Sequence, residues 1–223
     1  MLLQINRKIL IYLFIFFLLG TYTNKKFLNL SFPKIESYQI TGLSEVKNNQ
    51  IYQDLSELQK KNIYFLNKEE ISKIISSHKM IEKFYVFKIY PSNLNIVIEK
   101  TNFLAQTKKN GIDFFIGSNG NLIEAKNDEV DLPFVFGNID IKEFLKLKKT
   151  IDDSNFSFKE IKNLYYFKSR RWDIETKDNL LIKLPIEKLE TSLELIIKIQ
   201  EKKDLNFFKT IDLRQNNQVI LNG

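Results

Sequence analysis

The longest apolar stretch of the chain is residues 9–24, which contain no charged side chain. Basic residues close it on both sides, with Arg7 and Lys8 before it and Lys25 and Lys26 after it. A helix rises about 1.5 Å per residue, so this stretch would extend roughly 24 Å, while the hydrocarbon core of a bilayer measures about 30 Å. Lysine side chains can snorkel from helix ends to the interface, which makes a short span workable. The pattern predicts a transmembrane anchor at residues 9–24.

Two other interpretations fit the same stretch. A cleaved signal peptide has an apolar region of this length, although the segment from Gly20 to Thr23 is a poor cleavage site. The other interpretation is a helix buried in the core of a globular domain. Basic residues balance across the stretch, but most of the chain follows it, so we expect residues 1–8 to be cytoplasmic and the bulk to be exported. Residues 25–33 are predicted to be a linker.

The next part of the chain shows helical periodicity. Ile51, Leu55 and Leu58 recur at spacings of four and three, which is one face of a helix. Asn67 and Glu70 have the spacing of a capping box that opens a second helix. Two amphipathic helices are therefore predicted.

Strand patterns surround these helices. Residues 35–40 form a strand candidate that ends at Gly42, and residues 82–90 are rich in aromatic and β-branched side chains. Residues 94–98 alternate apolar and polar positions, and the turn at Pro91 joins the last two strands as a hairpin. The order β-α-α-β-β predicts a domain at residues 34–100 with two helices on one face of a three-stranded sheet.

Short strands dominate residues 101–223, which are predicted to form a second, mixed β-domain. Gly111 and Asn119-Gly120 mark tight hairpins, the second predicted as a type I′ turn. Because proline cannot donate to a β-ladder, residues 132–137 are expected to be an edge strand or an extended segment. The other predicted strands and strand pairs are residues 103–107, 113–116, 122–123, 163–167, 171–176, 180–184, and a final hairpin of residues 210–213 and 218–221.

Two helices are predicted within this β-domain. Ile141, Phe144 and Leu145 indicate a short one. Pro185 is placed at the first position of the other, whose apolar face carries Ile186, Leu189, Leu193, Ile196 and Ile197. The overall fold class is therefore α+β.

Composition narrows the classes of function. Apolar residues make up 43% and aromatic residues 13%, which is enough to build cores. With no cysteine, the chain has no disulfide framework and no cysteine-ligated metal. The net charge is +7, but only four of the 34 basic residues are arginines and the lysines are scattered, so a solvated surface is favoured over nucleic-acid binding.

Candidate catalytic chemistry is sparse. His78 is the single histidine and is expected to lie at a helix end, so neither a histidine-based metal site nor a catalytic triad is predicted. Asp173 and Glu175 share one face of a strand, as paired carboxylates of a hydrolase would, but a polar outer face is the ordinary explanation. We predict no enzymatic activity, no cofactor and no metal.

Several short motifs occur in a fixed order behind the N-terminal apolar stretch. They are residues 40–43 (ITGL), 90–100 (YPSNLNIVIEK), 111–121, 132–137 (LPFVFG), 171–174 (RWDI), 184–185 (LP) and 211–214 (IDLR). Their order and spacing resemble the FtsQ/DivIB family of bacterial division proteins. The resemblance extends over the whole chain.

The resemblance implies a single-pass inner-membrane protein with a polypeptide-transport-associated (POTRA) domain and a β-domain, enriched at the division septum. It implies a scaffold that links early and late division proteins and helps regulate septal cell-wall synthesis. FtsB and FtsL would be its close partners, with FtsW, FtsI and FtsK as further ones. The alternatives are a POTRA-bearing component of an export or assembly machine and a membrane-anchored hydrolase.

The partner site is predicted at the last strand. Residues 218–221 end in three apolar side chains with neither proline nor charge, so this strand is a poorly protected edge. A partner strand could add to it through backbone hydrogen bonds. By the resemblance, the partner-binding residues are Arg170, Arg171, Lys209, Thr210, Arg214, Val219, Ile220 and Leu221.

Overall fold

The computed structural model describes residues 7–23, 33–125, 130–202, 208–215 and 218–223. The predicted anchor forms helix α1 (Arg7–Thr23), and its apolar side chains from Ile9 to Leu19 are exposed. Among the helices in the described ranges, none is both long and apolar enough to cross a membrane. Most of the predicted tail at residues 1–8 and linker at residues 25–33 lies outside the described residues.

The N-terminal module, residues 34–100, contains a three-stranded sheet. Strand β1 (Ser37–Thr41) runs parallel to the central strand β3 (Asn93–Lys100), and β2 (Ile81–Ile89) pairs antiparallel with β3. The β2–β3 hairpin was predicted from sequence and is confirmed. Among the strands of the described ranges, β2 pairs with β3 alone, so it is an edge strand nine residues long.

Two helices cover one face of this sheet, as predicted. Helix α2 (Glu45–Leu55) continues into a 3₁₀ turn, Ser56–Lys60, which carries the third predicted core residue, Leu58. Helix α3 (Lys68–Ile75) begins at Asn67, whose side chain accepts from the amide of Glu69. The members of this core are Ile35, Ile40, Ile51, Leu55, Leu58, Ile63, Leu66, Ile71, Ile75, Ile81, Leu94, Ile96 and Ile98.

The predicted capping box is formed only in part. Asn67 caps α3, whereas the side chain of Glu70 accepts from Nζ of Lys61 at 2.5 Å. An ion pair across the preceding loop replaces the reciprocal backbone bond.

The C-terminal module, residues 101–223, is built on a nine-stranded sheet ordered β12-β11-β10-β9-β8-β7-β4-β5-β6. Most neighbours are antiparallel, and three pairs are parallel: β4 with β7, β7 with β8, and β10 with β11. The strands are β4 (Phe103–Lys109), β5 (Ile112–Gly117), β6 (Leu122–Glu124), β7 (Phe134–Phe136), β8 (Ile161–Tyr166), β9 (Trp172–Thr176), β10 (Leu181–Lys183), β11 (Thr210–Asp212) and β12 (Ile220–Asn222).

The predicted edge strand at residues 132–137 is wrong in its placement. Strand β7 lies in the middle of the sheet, parallel to both β4 and β8. Pro133 precedes the strand, so its missing N–H breaks no ladder bond, and its carbonyl accepts from the Gln106 amide at 2.8 Å. A proline at the start of a strand is compatible with a central position.

Helices α4 (Ile141–Asp153) and α5 (Leu189–Lys202) pack on one face of the large sheet. Pro185 is not the first residue of α5, contrary to prediction, because the chain bends through residues 186–187 and Lys188 adopts φ +60°. Ile186 is exposed as a consequence. The sheet and the two helices enclose a hydrophobic core. Its buried residues include Ala105, Ile116, Val135, Phe144, Leu147, Ile151, Leu164, Trp172, Ile174, Ile182, Leu193, Ile196 and Ile211.

The predicted type I′ turn at Asn119-Gly120 is also wrong. Only Gly120 has a positive φ there, whereas a type I′ turn needs two. The Asn119 side chain instead accepts from the Asn121 amide at 3.0 Å. Two positive φ values occur at Asn110 and Gly111, in the β4–β5 hairpin.

The two modules meet through a polar joint. Glu82 accepts hydrogen bonds from the hydroxyls of Thr101 at 2.9 Å and Ser118 at 2.8 Å. The Asn119 amide group donates to the Ile81 carbonyl at 2.9 Å and to the carbonyl two residues earlier. These contacts tie the β5–β6 turn of one module to the first strand residues of β2 in the other.

Candidate partner-binding site

Strand β12 lies at one edge of the nine-stranded sheet. It pairs antiparallel with β11, so Ile211 faces Leu221 and Asp212 faces Ile220. The predicted final hairpin and its edge position are confirmed, with the strand shifted to residues 220–222. The turn residues 216–217 lie outside the described residues.

The two neighbouring apolar residues of β12 point to opposite faces of the sheet. Leu221 is half-buried and packs against the core beneath the helices, as does Val219 just before the strand. Ile220 is 42% exposed on the other face. The strand is therefore held in place by one face while its outer edge stays open to solvent.

A row of charged residues runs across the sheet from β11, the neighbour of β12, inward to β9. The register places Asp173 of β9 next to Lys183 of β10, and Lys183 next to Asp212 of β11. Arg171 and Arg214 reach into the same row from the segments flanking β9 and β11. We call these five residues the ion-pair cluster. With three cations and two carboxylates it carries a net positive charge.

Asp173 is the buried member of the ion-pair cluster. Its side chain is 6% exposed and accepts from Nε of Arg171 at 3.2 Å. Burial raises the pKa of Asp173, while Arg171, Arg214 and Lys183 oppose that rise. The guanidinium of Arg171 also lies 4.3 Å from the ring centre of Phe167, which fixes its position.

Arg214 is held by Asp212 through both carboxylate oxygens. Its Nε lies 2.8 Å from Oδ1 and 3.0 Å from Oδ2 of Asp212, and a second guanidinium nitrogen also contacts Oδ2. These bonds lower the pKa of Asp212 and raise the pKa of Arg214. The guanidinium is therefore charged, oriented and still partly exposed beside β12.

The other predicted site residues are placed differently. Lys209 contacts both neighbours of β11, because its amide donates to Asn222 at 2.8 Å and its carbonyl accepts from Leu181 at 2.9 Å. Thr210 pairs with Leu181 and Asn222 in the sheet. Arg170 does not join the ion-pair cluster.

Arg170 and Arg171 do not lie on a strand, contrary to prediction. They occupy the β8–β9 turn, where Arg170 adopts φ +62° and its amide donates to Phe167 at 2.8 Å. The turn points the two side chains differently, so only Arg171 reaches Asp173.

Sequence reasoning missed Lys183 and Asp212 as parts of the site. Each is the charged third residue of a strand whose central residue is buried isoleucine, which is a weak signal. It also missed a groove of about 560 Å³ beside β12, between the start of α5 and the final hairpin. Its walls include Pro185, Thr191, Leu195, Leu213 and Val219.

The paired carboxylates considered for hydrolysis both have protein partners. Glu175 accepts from the hydroxyl of Tyr165 at 2.5 Å and from Asn163 at 2.9 Å, and these bonds lower its pKa. Asp173 is held by Arg171. His78 follows the end of α3, and its Nε2 lies 2.8 Å from Oδ2 of Asp54. Within the described ranges, no group of three or more acidic or histidine residues is arranged to hold a metal ion.

Two family models match this chain. Residues 34–100 match the POTRA domain of the FtsQ type, and residues 105–214 match the C-terminal domain of the cell division protein FtsQ/DivIB. The chain is thus a POTRA-bearing cell division protein. It belongs to the FtsQ/DivIB family.

Relatives named cell division protein FtsQ agree with this assignment. The protein of Rickettsia bellii is 25% identical over 199 residues, covering 83% of this chain and 70% of the relative. That of Rickettsia typhi is 27% identical over 192 residues, covering 83% and 71%. The extracytoplasmic domain of DivIB from Geobacillus stearothermophilus aligns with 48% of this chain and 98% of that one, at 16% identity and a TM-score of 0.36.

Proposed function

We propose that this chain is a non-enzymatic scaffold of the division machinery that binds FtsB and FtsL and helps regulate septal cell-wall synthesis. The observation that supports it best is the open edge of β12 beside the oriented guanidinium of Arg214. FtsW, FtsI and FtsK are further partners in this proposal. Its family membership supports a role in division.

Binding occurs by addition of a partner strand to β12. An edge strand offers unpaired backbone groups along its outer side, and an incoming strand satisfies them. Exposed Ile220 supplies apolar contact on one face. The net positive ion-pair cluster favours a partner with acidic side chains, and rim charges of this kind act mainly on specificity and association rate.

The proposal places helix α1 in the inner membrane, with residues 1–8 in the cytoplasm and the two modules in the periplasm. The exposed apolar side chains of α1 support this location, because an apolar surface of that size is unfavourable in water. A reporter that is active only in the periplasm, fused after Gly223, should be active. An active cytoplasmic reporter at that position would overturn the orientation.

The edge model is tested by a proline in β12. Ile220→Pro removes the N–H of the residue that pairs with Asp212 of β11, which disturbs the edge strand, and should weaken FtsB binding at least tenfold. Glu124→Pro is the matched control, because it places proline in β6 at the opposite edge of the same sheet. Binding is measured on the purified chain in detergent, with circular dichroism as the folding check.

Charge reversal provides the second measurement. Lys209→Glu combined with Arg171→Glu should slow association with FtsB more than it speeds dissociation, and the effect should shrink at high salt. If a folded Ile220→Pro variant and this double variant both bind FtsB like the unmodified chain, the site lies elsewhere.

A further inference from the structure

Large apolar side chains are exposed together at one end of the N-terminal module. They are Tyr64, Phe65, Ile89 and Tyr90, with exposed fractions of 48%, 74%, 50% and 54%. The rings of Tyr64 and Tyr90 lie 4.8 Å apart, so the loop before α3 and the β2–β3 turn form one surface. We call these four residues the end patch. Exposed apolar surface of this kind, gathered in one place, marks a contact site.

The end patch lies where the chain enters the module. Lys34 forms a β-bridge with Asn62, two residues before Tyr64. The amide of Glu36 donates to the carbonyl of Ser92 at 2.9 Å, two residues after Tyr90. Both parts of the patch therefore flank the first described residues after α1.

The connecting chain limits how far the start of the N-terminal module can lie from the end of α1. Residues 24–32 join Thr23 of α1 to Pro33. Fully extended chain spans at most about 3.3–3.6 Å per residue, so this connection reaches no more than roughly 35 Å. If α1 lies in a membrane, as the proposed function holds, the end patch is the part of the module tethered nearest to the bilayer.

We propose that the end patch docks on the surface of the membrane that holds α1. Tyrosine places an apolar ring and a polar hydroxyl at the same boundary, which suits the headgroup region, and phenylalanine and isoleucine enter more deeply. Exposed Lys34, Lys60 and Lys68 lie close in sequence to the chain entry and to Tyr64 and Phe65, and they favour anionic phospholipid headgroups. Two acidic groups nearby are already engaged, since Glu70 binds Lys61 and Glu36 accepts from Ser92.

Docking restricts the orientation of the N-terminal module. A tether alone would let the module rotate freely, whereas contact at the end patch fixes the entry end toward the lipid. The opposite end of β2, where the polar joint lies, then points away from the membrane. This inference rests on the proposed membrane location of α1.

The chain contains no cysteine, so single-cysteine variants can be labelled without background. The full chain is reconstituted in vesicles of phosphatidylethanolamine and phosphatidylglycerol, with the fluorophore NBD at residue 65 or 89. Residue 110, at the β4–β5 turn, is the control on the C-terminal module, and residue 16 reports on α1. Lipids with a shallow nitroxide should quench residues 65 and 89 at least threefold more than residue 110.

Each outcome is decisive. Residue 16 is read with a second lipid whose nitroxide lies deep in the acyl chain. Quenching of residue 16 by this deep nitroxide, with residues 65 and 89 indistinguishable from residue 110 for the shallow one, overturns the docking and leaves the anchor standing. Absence of both signals overturns the docking and the anchor. A blue-shifted but unquenched signal at residues 65 and 89 that grows with protein density shows contact with a second copy instead. In the supporting case, Phe65→Ser with Tyr90→Ser lowers quenching at residue 89 severalfold, and 200 mM added salt lowers it further.

Discussion

The two modules each leave one face of their sheet without a covering helix, and they fill that face with different chemistry. In the N-terminal module, Tyr85 and Phe87 of β2 are about half exposed on the uncovered face. In the C-terminal module the corresponding face carries Asp173, Glu175 and Lys183, and both carboxylates are held by neighbouring side chains.

This difference shows that a strand's alternation does not by itself identify the solvent face. β2 has apolar residues on both faces, because Phe84 and Val86 pack against the core while Tyr85 and Phe87 point outward. β9 instead carries buried Trp172 and Ile174 toward the helices and its carboxylates outward. The C-terminal face combines carboxylates held by neighbouring side chains with exposed Phe136 and Ile220, whereas Tyr85 and Phe87 on the N-terminal face have no such carboxylates beside them on β2.

Two matched glycines test whether the modules unfold separately. A Cβ on Gly42 would lie 1.7 Å from the Ile98 carbonyl oxygen, and one on Gly137 would lie 2.2 Å from that of Tyr166. Both have φ near +110°. Each alanine variant should lose roughly 2–5 kcal/mol of folding free energy, because backbone must move and the conformation is strained.

The readout for these glycines is the fluorescence of Trp172, which is buried in the C-terminal module. Gly137→Ala should move the urea transition of this signal, and Gly42→Ala should move mainly the far-ultraviolet circular dichroism transition. Equal shifts of the Trp172 signal in both variants would mean that the modules form one cooperative unit. In that case the predicted boundary between residues 100 and 101 would not separate two independent folding units, and a fragment of residues 28–100 should not fold alone.

A smaller effect is expected at the polar joint. Asn119→Ala removes two hydrogen bonds to backbone carbonyls of the N-terminal module and should cost about 1–2 kcal/mol. The amide of Thr101, bonded to the Met80 carbonyl at 2.9 Å, should then exchange hydrogen faster. Asn102→Ala is the control, since that side chain is exposed, and its effect should stay within about 0.5 kcal/mol. An unchanged Thr101 exchange rate in Asn119→Ala would exclude coupling through this joint.

The smallest effects concern pH, where neighbouring carboxylates should act with opposite sign. Burial raises the pKa of Asp173, so the folded state binds its proton more tightly than the unfolded state does. The contribution of Asp173 to the free energy of unfolding therefore falls as pH rises from the ordinary carboxyl pKa through the raised one. The pKa of Asp212 is lowered by Arg214, so its contribution is present above the ordinary carboxyl range and is lost as pH falls toward the lowered pKa.

The free energy of unfolding between about pH 3 and pH 7 checks both signs. Relative to the unmodified chain, Asp173→Asn should gain stability as pH rises, and Asp212→Asn should lose it. Slopes of the same sign for the two variants would mean that the ion-pair cluster titrates as one unit.

Local patterns in the sequence were enough to predict most elements. Alternation in residues 94–98 and the turn at Pro91 predicted the β2–β3 hairpin, and helical spacing at Ile51 and Leu55 predicted α2. The final hairpin and the edge position of β12 also followed from local signals. These features depend on contacts between residues close in sequence or on one face of one element.

Tertiary structure decided the features that depend on pairing between distant segments. β7 is central because β4 and β8 flank it, and no local signal at Pro133 distinguishes that from an edge. Lys183 meets Asp173 and Asp212 only through the registers of three strands. A register is set by how many side chains are buried at once across the sheet, so the ion-pair cluster beside β12 follows from the assembled core.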